Sequence, residues 1–494
     1  MKTRVFSCLL LFLCSCQFSF SQDTLQTVWV KKVKSPISNG NAEAWAIGTD
    51  ATGNPVWGVN LDMPGLFEFF DVMVFKLDTA SNVIWVDTSA FGPFAQQSYN
   101  LVVTDSLIYI GGRTCSSIDV NFCDALLFTV QSATGTTGWN FTWDQGFGYE
   151  EIDGIALLPD GIILTGWTDG NGTEVDGLLL KIDYAGNVFW QKPFLPSMKD
   201  DHFDGHLVAD DSMIYVCGLY NGSPLLGWEG RSLLAKFDIQ DGSFVDSIHF
   251  GRQDFWVNAE NALGMTSDGN YLYVTGYTTP APNNWDIYLA KFDKNLNQMW
   301  YKTWGGPLVE SARAIAIGPD GAIYIGGNTN GFGNGGTEIA LLKFSEDGNF
   351  DWYKTWGAAG DDQTLDIHIR GNNLYLTGKS TSFHPSGKSE AILLKAKLES
   401  ATPSKEQIQY PVKLNVSVYP NPVSDEGILT FQNPEHQHFE FELYNSRGQL
   451  VEKRGNVQSD VIKISKGSKA PGLYFYKLQS CRGGVGQSGK VLMQ

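Results

Sequence analysis

The fold is decided by residues 305–356, which read GGPLVESARAIAIGPDGAIYIGGNTNGFGNGGTEIALLKFSEDGNFDWYKTW. The stretch holds four short apolar segments, ARAIAI, AIYIGG, IALLKF and FDWYKTW, whose alternating, β-branched and aromatic residues are typical of buried strands. A Pro-Asp-Gly turn at 319–321 joins the first two segments, because Pro presets φ for a turn and Gly allows positive φ. Residues 346–349 form a second such turn. The stretch is therefore predicted to be a four-stranded antiparallel sheet.

The same pattern recurs along the chain at intervals of about 52–55 residues, a spacing typical of four-stranded propeller repeats. A Gly ends the second strand of each repeat, and an acidic residue opens the third strand in all repeats but one, where Arg231 stands. We expect these acids to be architectural, accepting backbone N–H groups of the preceding loop. The third strand is marked by Lys, or once by Thr, at Lys76, Thr129, Lys181, Lys236, Lys291, Lys343 and Lys395.

The last repeat lacks its fourth strand. After Lys395 the chain runs into the polar segment ESATPSKEQ, whereas an unassigned strand of the missing kind, TVWVKKV, stands at residues 27–33. If this strand completes the last sheet, the array closes into a ring without exposed edges. The sequence therefore predicts an all-β protein, a seven-bladed β-propeller over 22–398 closed by an N-terminal strand.

Composition limits the classes of partner. The chain has 494 residues and a net charge of −18, although residues 412–494 contain ten Lys and Arg against seven Asp and Glu. The acidic excess therefore lies in the propeller, which disfavours nucleic acid and anionic membranes. No P-loop, dinucleotide fingerprint, nucleophile elbow or zinc-protease helix is present.

The first 21 residues have the pattern of a secretory signal peptide, with Lys2 and Arg4 before a short apolar segment and small residues before Gln22. A lipoprotein signal that modifies Cys16 is the alternative. No other segment is long and apolar enough to suggest a transmembrane helix. Export permits disulfides, and Cys115 and Cys123 flank one loop, so we expect them to be bonded to each other.

A polar segment at 399–411 is predicted to be a linker, and short strand patterns within 412–494 predict a small β-sandwich. Four ordered motifs in this domain resemble the type A C-terminal sorting domain of the type IX secretion system of Bacteroidetes. The resemblance implies interaction with that secretion machinery and passage to the cell surface or the medium. The motif residues are Tyr419, Pro420, Asn421, Pro422, Gly448, Pro471, Gly472, Tyr474, Gly489 and Lys490.

Residues of about 28–398 also resemble the repeats of bacterial secreted β-propellers, with a PDG turn, an LLK strand and a following GN and Trp. This second resemblance implies the fold and little about activity, because propellers host many functions. In such folds the first strands line a central channel, and two kinds of loop open together on one face.

The loops of that face combine acidic and aromatic residues, which suit recognition of a sugar or a peptide. The alternative is that these aromatic residues pack between sheets. The candidate ligand-binding residues are Trp228, Trp285, Phe332, Glu151, Glu260, Glu310 and Asp361.

No cofactor is predicted, although Ca²⁺ would suit the acidic strand entrances. The densest group of metal-type ligands is DDHFDGH at 200–206, with His202, Asp204 and His206. On a strand the two His residues would be about 13 Å apart, which is too far for one metal ion. We therefore expect no metal site there.

These features predict a secreted or surface-displayed binding or adhesion protein for an extracellular glycan or protein. One alternative is a polysaccharide hydrolase or lyase that uses carboxylates at the channel mouth. Another is a scaffold without a small ligand.

Overall fold

The computed structural model describes residues 27–62, 70–88, 95–115, 122–144, 148–169, 175–194, 200–222, 230–251, 260–281, 284–306, 308–333, 336–384, 386–398, 416–431, 438–445, 449–480 and 486–494. The chain divides into two compact units, Met1–Ala401 and Thr402–Gln494. Within the described residues, no helix has the length and apolar character needed to cross a membrane. The predicted signal peptide and linker lie outside these residues.

The described part of the first unit forms seven antiparallel sheets, numbered here in chain order. The chain begins with β1 (Thr27–Val33). Sheet 1 contains β2 (Ala42–Thr49), β3 (Pro55–Asp62), β4 (Phe70–Leu77) and β5 (Val83–Asp87). Sheet 2 contains β6 (Gln96–Val103), β7 (Leu107–Cys115), β8 (Cys123–Gln131) and β9 (Thr137–Trp143). Sheet 3 contains β10 (Glu150–Leu158), β11 (Gly161–Thr168), β12 (Asp176–Ile182) and β13 (Val188–Phe194).

Sheet 4 contains β14 (Asp200–Phe203), β15 (Val208–Ala209), β16 (Met213–Gly222), β17 (Arg231–Asp238) and β18 (Phe244–Phe250). Sheet 5 contains β19 (Asn261–Ser267), β20 (Tyr271–Ala281), β21 (Asn284–Asp293) and β22 (Gln298–Trp304). Sheet 6 contains β23 (Glu310–Ile317), β24 (Ile323–Thr329), β25 (Glu338–Phe344) and β26 (Phe350–Trp356). Sheet 7 contains β27 (Asp362–Arg370), β28 (Asn373–Ser380) and β29 (Glu390–Lys397), together with β1. The predicted all-β propeller fold is confirmed.

Sheet 7 takes its outer strand from the start of the chain. β1 pairs antiparallel with β29, with Val30 opposite Leu394 and Val33 opposite Ala391. Sheets 7 and 1 also meet at their inner strands, where the Asp366 carboxylate accepts the Ile47 backbone N–H at 3.0 Å. β29 is therefore hydrogen-bonded to a strand on each side, so neither of its edges is open to pairing with another chain.

The recurring Lys residues connect neighbouring sheets. Lys76 Nζ in sheet 1 donates to the Ser132 carbonyl of sheet 2 at 2.8 Å and pairs with Asp50 at 2.9 Å. Lys395 in sheet 7 donates to the Thr79 carbonyl of sheet 1 at 2.8 Å. Most of these Lys residues thus contact a turn of the next sheet, whereas Lys343 pairs with Asp320 of its own sheet. The contact gives the repeated residue a structural reason that its spacing alone did not reveal.

The second unit contains two sheets in its described residues. One consists of β30 (Ser417–Tyr419), β31 (Glu426–Thr430) and β34 (Val461–Ser465). The other consists of β32 (Phe439–Asn445), β33 (Leu450–Val457), β35 (Gly472–Ser480) and β36 (Gly486–Met493). Side chains from both sheets share one buried core, which includes Leu429, Ile462, Phe441 and Leu478.

Two strands of this unit escaped prediction. β33 reads LVEKRGNV and has exposed, charged residues because it is an edge strand that pairs with β32 alone. β36 contains two Gly residues, and an added Cβ at Gly489 would overlap the Tyr476 ring opposite it. Both patterns resemble loops when the pairing partner is unknown.

Several sorting-motif residues have structural roles within this unit. The Asn421 side-chain oxygen accepts the Leu492 N–H at 2.9 Å, and the Tyr474 hydroxyl donates to the Ala470 carbonyl at 3.0 Å. Gly472 has a φ of 146°, a region that favours glycine. Gly448 lies outside the described residues.

Candidate functional site

The first strands of six sheets carry an irregularity at the same place. One residue in the middle of each strand is skipped in the pairing with the second strand. Such bulges re-aim a side chain. The skipped residues, with His206 in the gap between β14 and β15, line one small cavity of about 20 Å³ at the centre of the propeller. They are Trp45, Tyr99, Asp153, Leu263, Arg313 and Leu365.

Charged side chains from different sheets meet at this cavity. The Arg313 guanidinium lies 3.8 Å from the Asp204 carboxylate and 4.8 Å from the centre of the Trp45 ring. Asp204 also accepts hydrogen bonds from His202 at 2.9 Å and from Asn261 at 2.8 Å. Four sheets thus contribute to one polar cluster.

Two acidic residues near this cavity, Asp153 and Asp204, have pKa values that are shifted in opposite directions. Burial raises the pKa of Asp153 well above its usual range, and the Glu151 and Asp204 carboxylates raise it further. Burial would also raise the pKa of Asp204, but His202, Arg313 and Asn261 outweigh burial and lower it. The channel therefore holds one carboxyl group with a raised pKa and another with a lowered pKa, a combination suited to proton transfer.

Glu151 occupies the end of the channel at which the first strands begin, called the mouth below. Its carboxylate accepts Trp167 Nε1–H at 2.5 Å and the Tyr149 hydroxyl at 3.1 Å, and lies 3.4 Å from Arg113 Nη1. Burial raises the pKa of Glu151, although Arg113 and Trp167 oppose the increase. The Arg113 guanidinium also lies 4.3 Å from the centre of the Tyr149 ring.

Two stacked aromatic pairs stand at the mouth. Tyr149 stacks on Trp167 with ring centres 4.5 Å apart and 9° between planes. Tyr277 stacks on Trp285 at 4.5 Å and 11°. All four side chains are partly exposed. The Tyr149 pair is supported by the Cys115–Cys123 disulfide, because Tyr149 packs against both cysteines.

The opposite half of the channel is wider. A cavity of about 700 Å³ is lined mainly by aliphatic residues from the ends of the first strands, with His206, Asp366 and His368 among them. His206 borders both cavities and lies 3.7 Å from the Asp366 carboxylate. The channel therefore narrows at the ring of bulged residues.

The structure separates the residues that the sequence grouped as ligand-binding candidates. Trp285 lies partly exposed at the mouth, whereas Glu151 is buried there and both of its oxygens are bonded to protein groups. Glu260 and Glu310 are almost fully buried at the starts of their strands, where Glu260 accepts from Thr278 and Glu310 from Thr329, so a ligand on the surface does not reach them. Trp228 lies outside the described residues.

The other two candidates make local contacts. Phe332 packs 4.8 Å from Trp304 and 5.3 Å from Tyr353, measured between ring centres, so it fills space between sheets 5 and 6. Asp361 accepts the Thr337 backbone N–H at 2.9 Å. The three metal-type candidates also diverge, since His202 pairs with Asp204 and His206 lies beside Asp366 of another sheet.

Sequence reasoning missed Trp45, Tyr99, Asp153, Arg113 and Arg313. A weak signal exists, because the skipped residue often stands between small residues, as in Ala-Trp45-Ala, Ser-Tyr99-Asn and Ala-Arg313-Ala. In five of the six strands it falls three positions after the first residue of the strand, and in β19 it falls two positions after it. Without the bulge, this position cannot be recognised as one that faces the channel.

Comparisons with known proteins agree with the two-unit organisation. Residues 417–490 match the family model of the secretion system C-terminal sorting domain. One curated relative is the regulatory protein FlaEY of Caulobacter vibrioides, 26% identical over 186 residues, which are 32% of this chain and 19% of that protein. The chain thus spans about a fifth of the length of that relative, and the match says nothing of the activity of the whole chain.

Similar solved structures include the α-L-arabinofuranosidase Arb93A from Fusarium graminearum, with 10% identity, 76% of this chain and 98% of that chain covered, and a TM-score of 0.46. The β-propeller domain of the Trilobed protease from Pyrococcus furiosus is 10% identical, with coverage of 73% and 97% and a TM-score of 0.39. These similarities concern the fold and do not indicate an activity. The chain is a β-propeller protein that carries a type IX secretion-system sorting domain in its second unit, and it is exported through the outer membrane to the cell surface or the medium.

Proposed function

We propose that the exported propeller is a binding or adhesion module that holds an extracellular glycan or protein at the mouth of its channel. The observation that carries this proposal is the pair of partly exposed aromatic stacks, Tyr149–Trp167 and Tyr277–Trp285, on the end of the channel that also holds Glu151 and Arg113. Aromatic faces pack on apolar C–H surfaces, whereas carboxylate and guanidinium groups bind hydroxyl and amide groups.

A glycan fits this arrangement better than a flat protein surface. The aromatic pairs are held rigidly, since Tyr149 packs on the disulfide and Arg113, and Trp285 is anchored by its backbone N–H to the Leu308 carbonyl at 3.2 Å. Preorganised rings lose little conformational entropy when a ligand binds.

Replacing Trp285 with Ala is expected to weaken binding by about 10- to 100-fold, because a buried aromatic contact in a binding site contributes about 2 kcal/mol or more. The measurement is a glycan array with the full chain, followed by titration calorimetry on the best ligand. Phe189→Ala is the matched control, since Phe189 is an exposed aromatic residue on the outer strand β13. Equal affinity of the Trp285→Ala variant and the wild type would reject the mouth as the site.

A second candidate function, hydrolysis or lysis of a polysaccharide, is favoured by the opposite pKa shifts of Asp153 and Asp204. Such an enzyme would need Asp204 ionised and Asp153 protonated. Activity should therefore rise as the pH passes the lowered pKa of Asp204 and fall again above the raised pKa of Asp153. Asp153→Asn and Asp204→Asn should each reduce the rate by at least about 100-fold. Product release from a polysaccharide panel, unchanged in both variants, would exclude this channel as the active site.

A further inference from the structure

Three carboxylates lie together where sheet 2 meets sheet 3, and none of them belongs to the cluster in the channel. Asp124 is the second residue of β8, Asp144 directly follows β9, and Glu150 is the first residue of β10 in the next sheet. One carboxylate oxygen from each of these residues lies within 4.8 Å of the others. The three side chains come from three chain segments, so the fold and not local sequence brings them together.

Glu150 supplies an oxygen that the protein itself leaves without a partner. Its side chain is fully buried, and one oxygen accepts a hydrogen bond from Thr168 at 3.2 Å. The other oxygen is buried and has no hydrogen-bond partner within the part of the chain that the structure describes. An unsatisfied carboxylate oxygen in a buried position is costly unless a proton or a cation compensates it.

The equivalent residue in sheet 6, Glu310, has hydrogen-bond partners for both of its carboxylate oxygens. Glu310 opens the first strand of sheet 6 as Glu150 opens that of sheet 3. Both of its oxygens are bonded, one to Thr329 at 2.9 Å and to the Gly331 N–H at 3.0 Å, and the other to the Gly306 N–H at 2.8 Å. Hydrogen bonds from the protein thus satisfy both oxygens of Glu310, whereas Glu150 lies beside two further carboxylates.

Asp144 is the residue that makes sheet 2 different. The same position after the fourth strand holds Gly in sheets 4, 5 and 6, namely Gly251, Gly305 and Gly357. A Cβ added at Gly251 would overlap the Glu260 carboxylate, and one at Gly305 would overlap that of Asp286. In those sheets the glycine leaves room for closely packed acids. In sheet 2 a third carboxylate takes this place.

We propose that Asp124, Asp144 and Glu150 bind a divalent cation, Ca²⁺, at the junction of sheets 2 and 3. Ca²⁺ prefers carboxylate and carbonyl oxygens and tolerates irregular geometry with water in the remaining positions. Asp144 is exposed, so the ion enters from solvent, while buried Glu150 holds it from beneath. The ion would fasten two neighbouring sheets on the end of the propeller that carries Tyr149.

Glu150 interacts electrostatically with the acidic residues around it. Burial raises the pKa of Glu150 to about 7, and the Asp144, Asp124 and Asp169 carboxylates contribute to the increase. Thr168 opposes it by donating a hydrogen bond.

The test compares thermal unfolding of the full chain in excess Ca²⁺ with unfolding after chelation, alongside calorimetric titration with CaCl₂. We expect Ca²⁺ at about 100 times Kd to raise Tm by roughly 2–5 °C. Asp144→Gly, which places here the glycine found in sheets 4, 5 and 6, should fold and lose this shift. Asp286→Asn removes the acid of sheet 5 that is equivalent to Asp124, and this variant should keep the Tm shift.

A second readout separates binding from stability. Tb³⁺ in the Ca²⁺ site should emit by energy transfer from Trp143, which directly precedes Asp144. Added Ca²⁺ should displace this emission in the wild type and in Asp286→Asn. Absence of both the Tm shift and the emission in the wild type, or their persistence in Asp144→Gly, would overturn the proposal. Neither outcome depends on ligand binding at the channel mouth.

Discussion

Deleting β1 (Thr27–Val33) is expected to lower the stability of the propeller by on the order of 5 kcal/mol, which is comparable with the total stability of many domains. The deletion removes the outer strand of sheet 7 and exposes the edge of the apolar strand β29. It also removes Trp29, whose indole N–H donates to the Thr79 carbonyl of sheet 1 at 3.2 Å, and Val30, which packs against the core of sheets 6 and 7. Chemical denaturation and light scattering would measure the lost stability and the aggregation of the exposed edge.

A transposed variant distinguishes loss of the strand from loss of the closure. The start of β1 lies beside the end of β29, because Thr27 pairs with Ala396. A copy of residues 27–33 can therefore follow Lys397 through the five-residue turn 345–349 that joins β25 to β26 in sheet 6. This variant should recover most of the stability of the complete sheet. Wild-type stability of the simple deletion would contradict the role assigned to β1.

Removing residues 412–494 is expected to abolish release and surface display while leaving the propeller folded. The reason is that the sorting domain directs export, whereas each unit has its own compact core. In a host with a type IX secretion system, the truncated chain should accumulate in the periplasm. Immunoblotting of periplasmic, surface and medium fractions measures this distribution.

Two comparisons make that experiment specific. Circular dichroism of the truncated protein should show the unfolding transition of the propeller, which excludes misfolding as the cause of retention. A fusion of residues 412–494 to an unrelated periplasmic protein should direct that protein to the cell surface or the medium. Truncated chain in the medium at wild-type levels would show that this domain is not needed for export.

Much of the propeller follows from local sequence. Strands such as Ile323–Thr329 and Glu338–Phe344 are short, apolar and bounded by turn residues, and the turns work as expected. Gly321 and Gly348 both have a φ of 75°, which the PDG and EDGN turns require. The strands and turns can be predicted because alternation and turn residues are local signals, and the repeat shows that the same unit recurs.

The functional site follows from sequence only in part. Trp285 and the three glutamates Glu151, Glu260 and Glu310 were predicted from the same pattern of aromatic and acidic residues near the loops, but only Trp285 is partly exposed, because all three glutamates are buried. Asp153 and Arg313 were not identified, because a β-bulge turns them towards the channel and a bulge has no strong local sequence signature.

The sequence by itself determined the all-β fold, the repeat, the unassigned strand at residues 27–33 and the sorting motifs. Each of these depends on short-range periodicity or on a contiguous motif. Only the tertiary structure decided which acids are paired, which are exposed and which meet across sheets, as Asp124, Asp144 and Glu150 do. The physical reason is that the charge state and accessibility of a carboxylate depend on groups brought near it by folding, and these groups lie far apart along the chain.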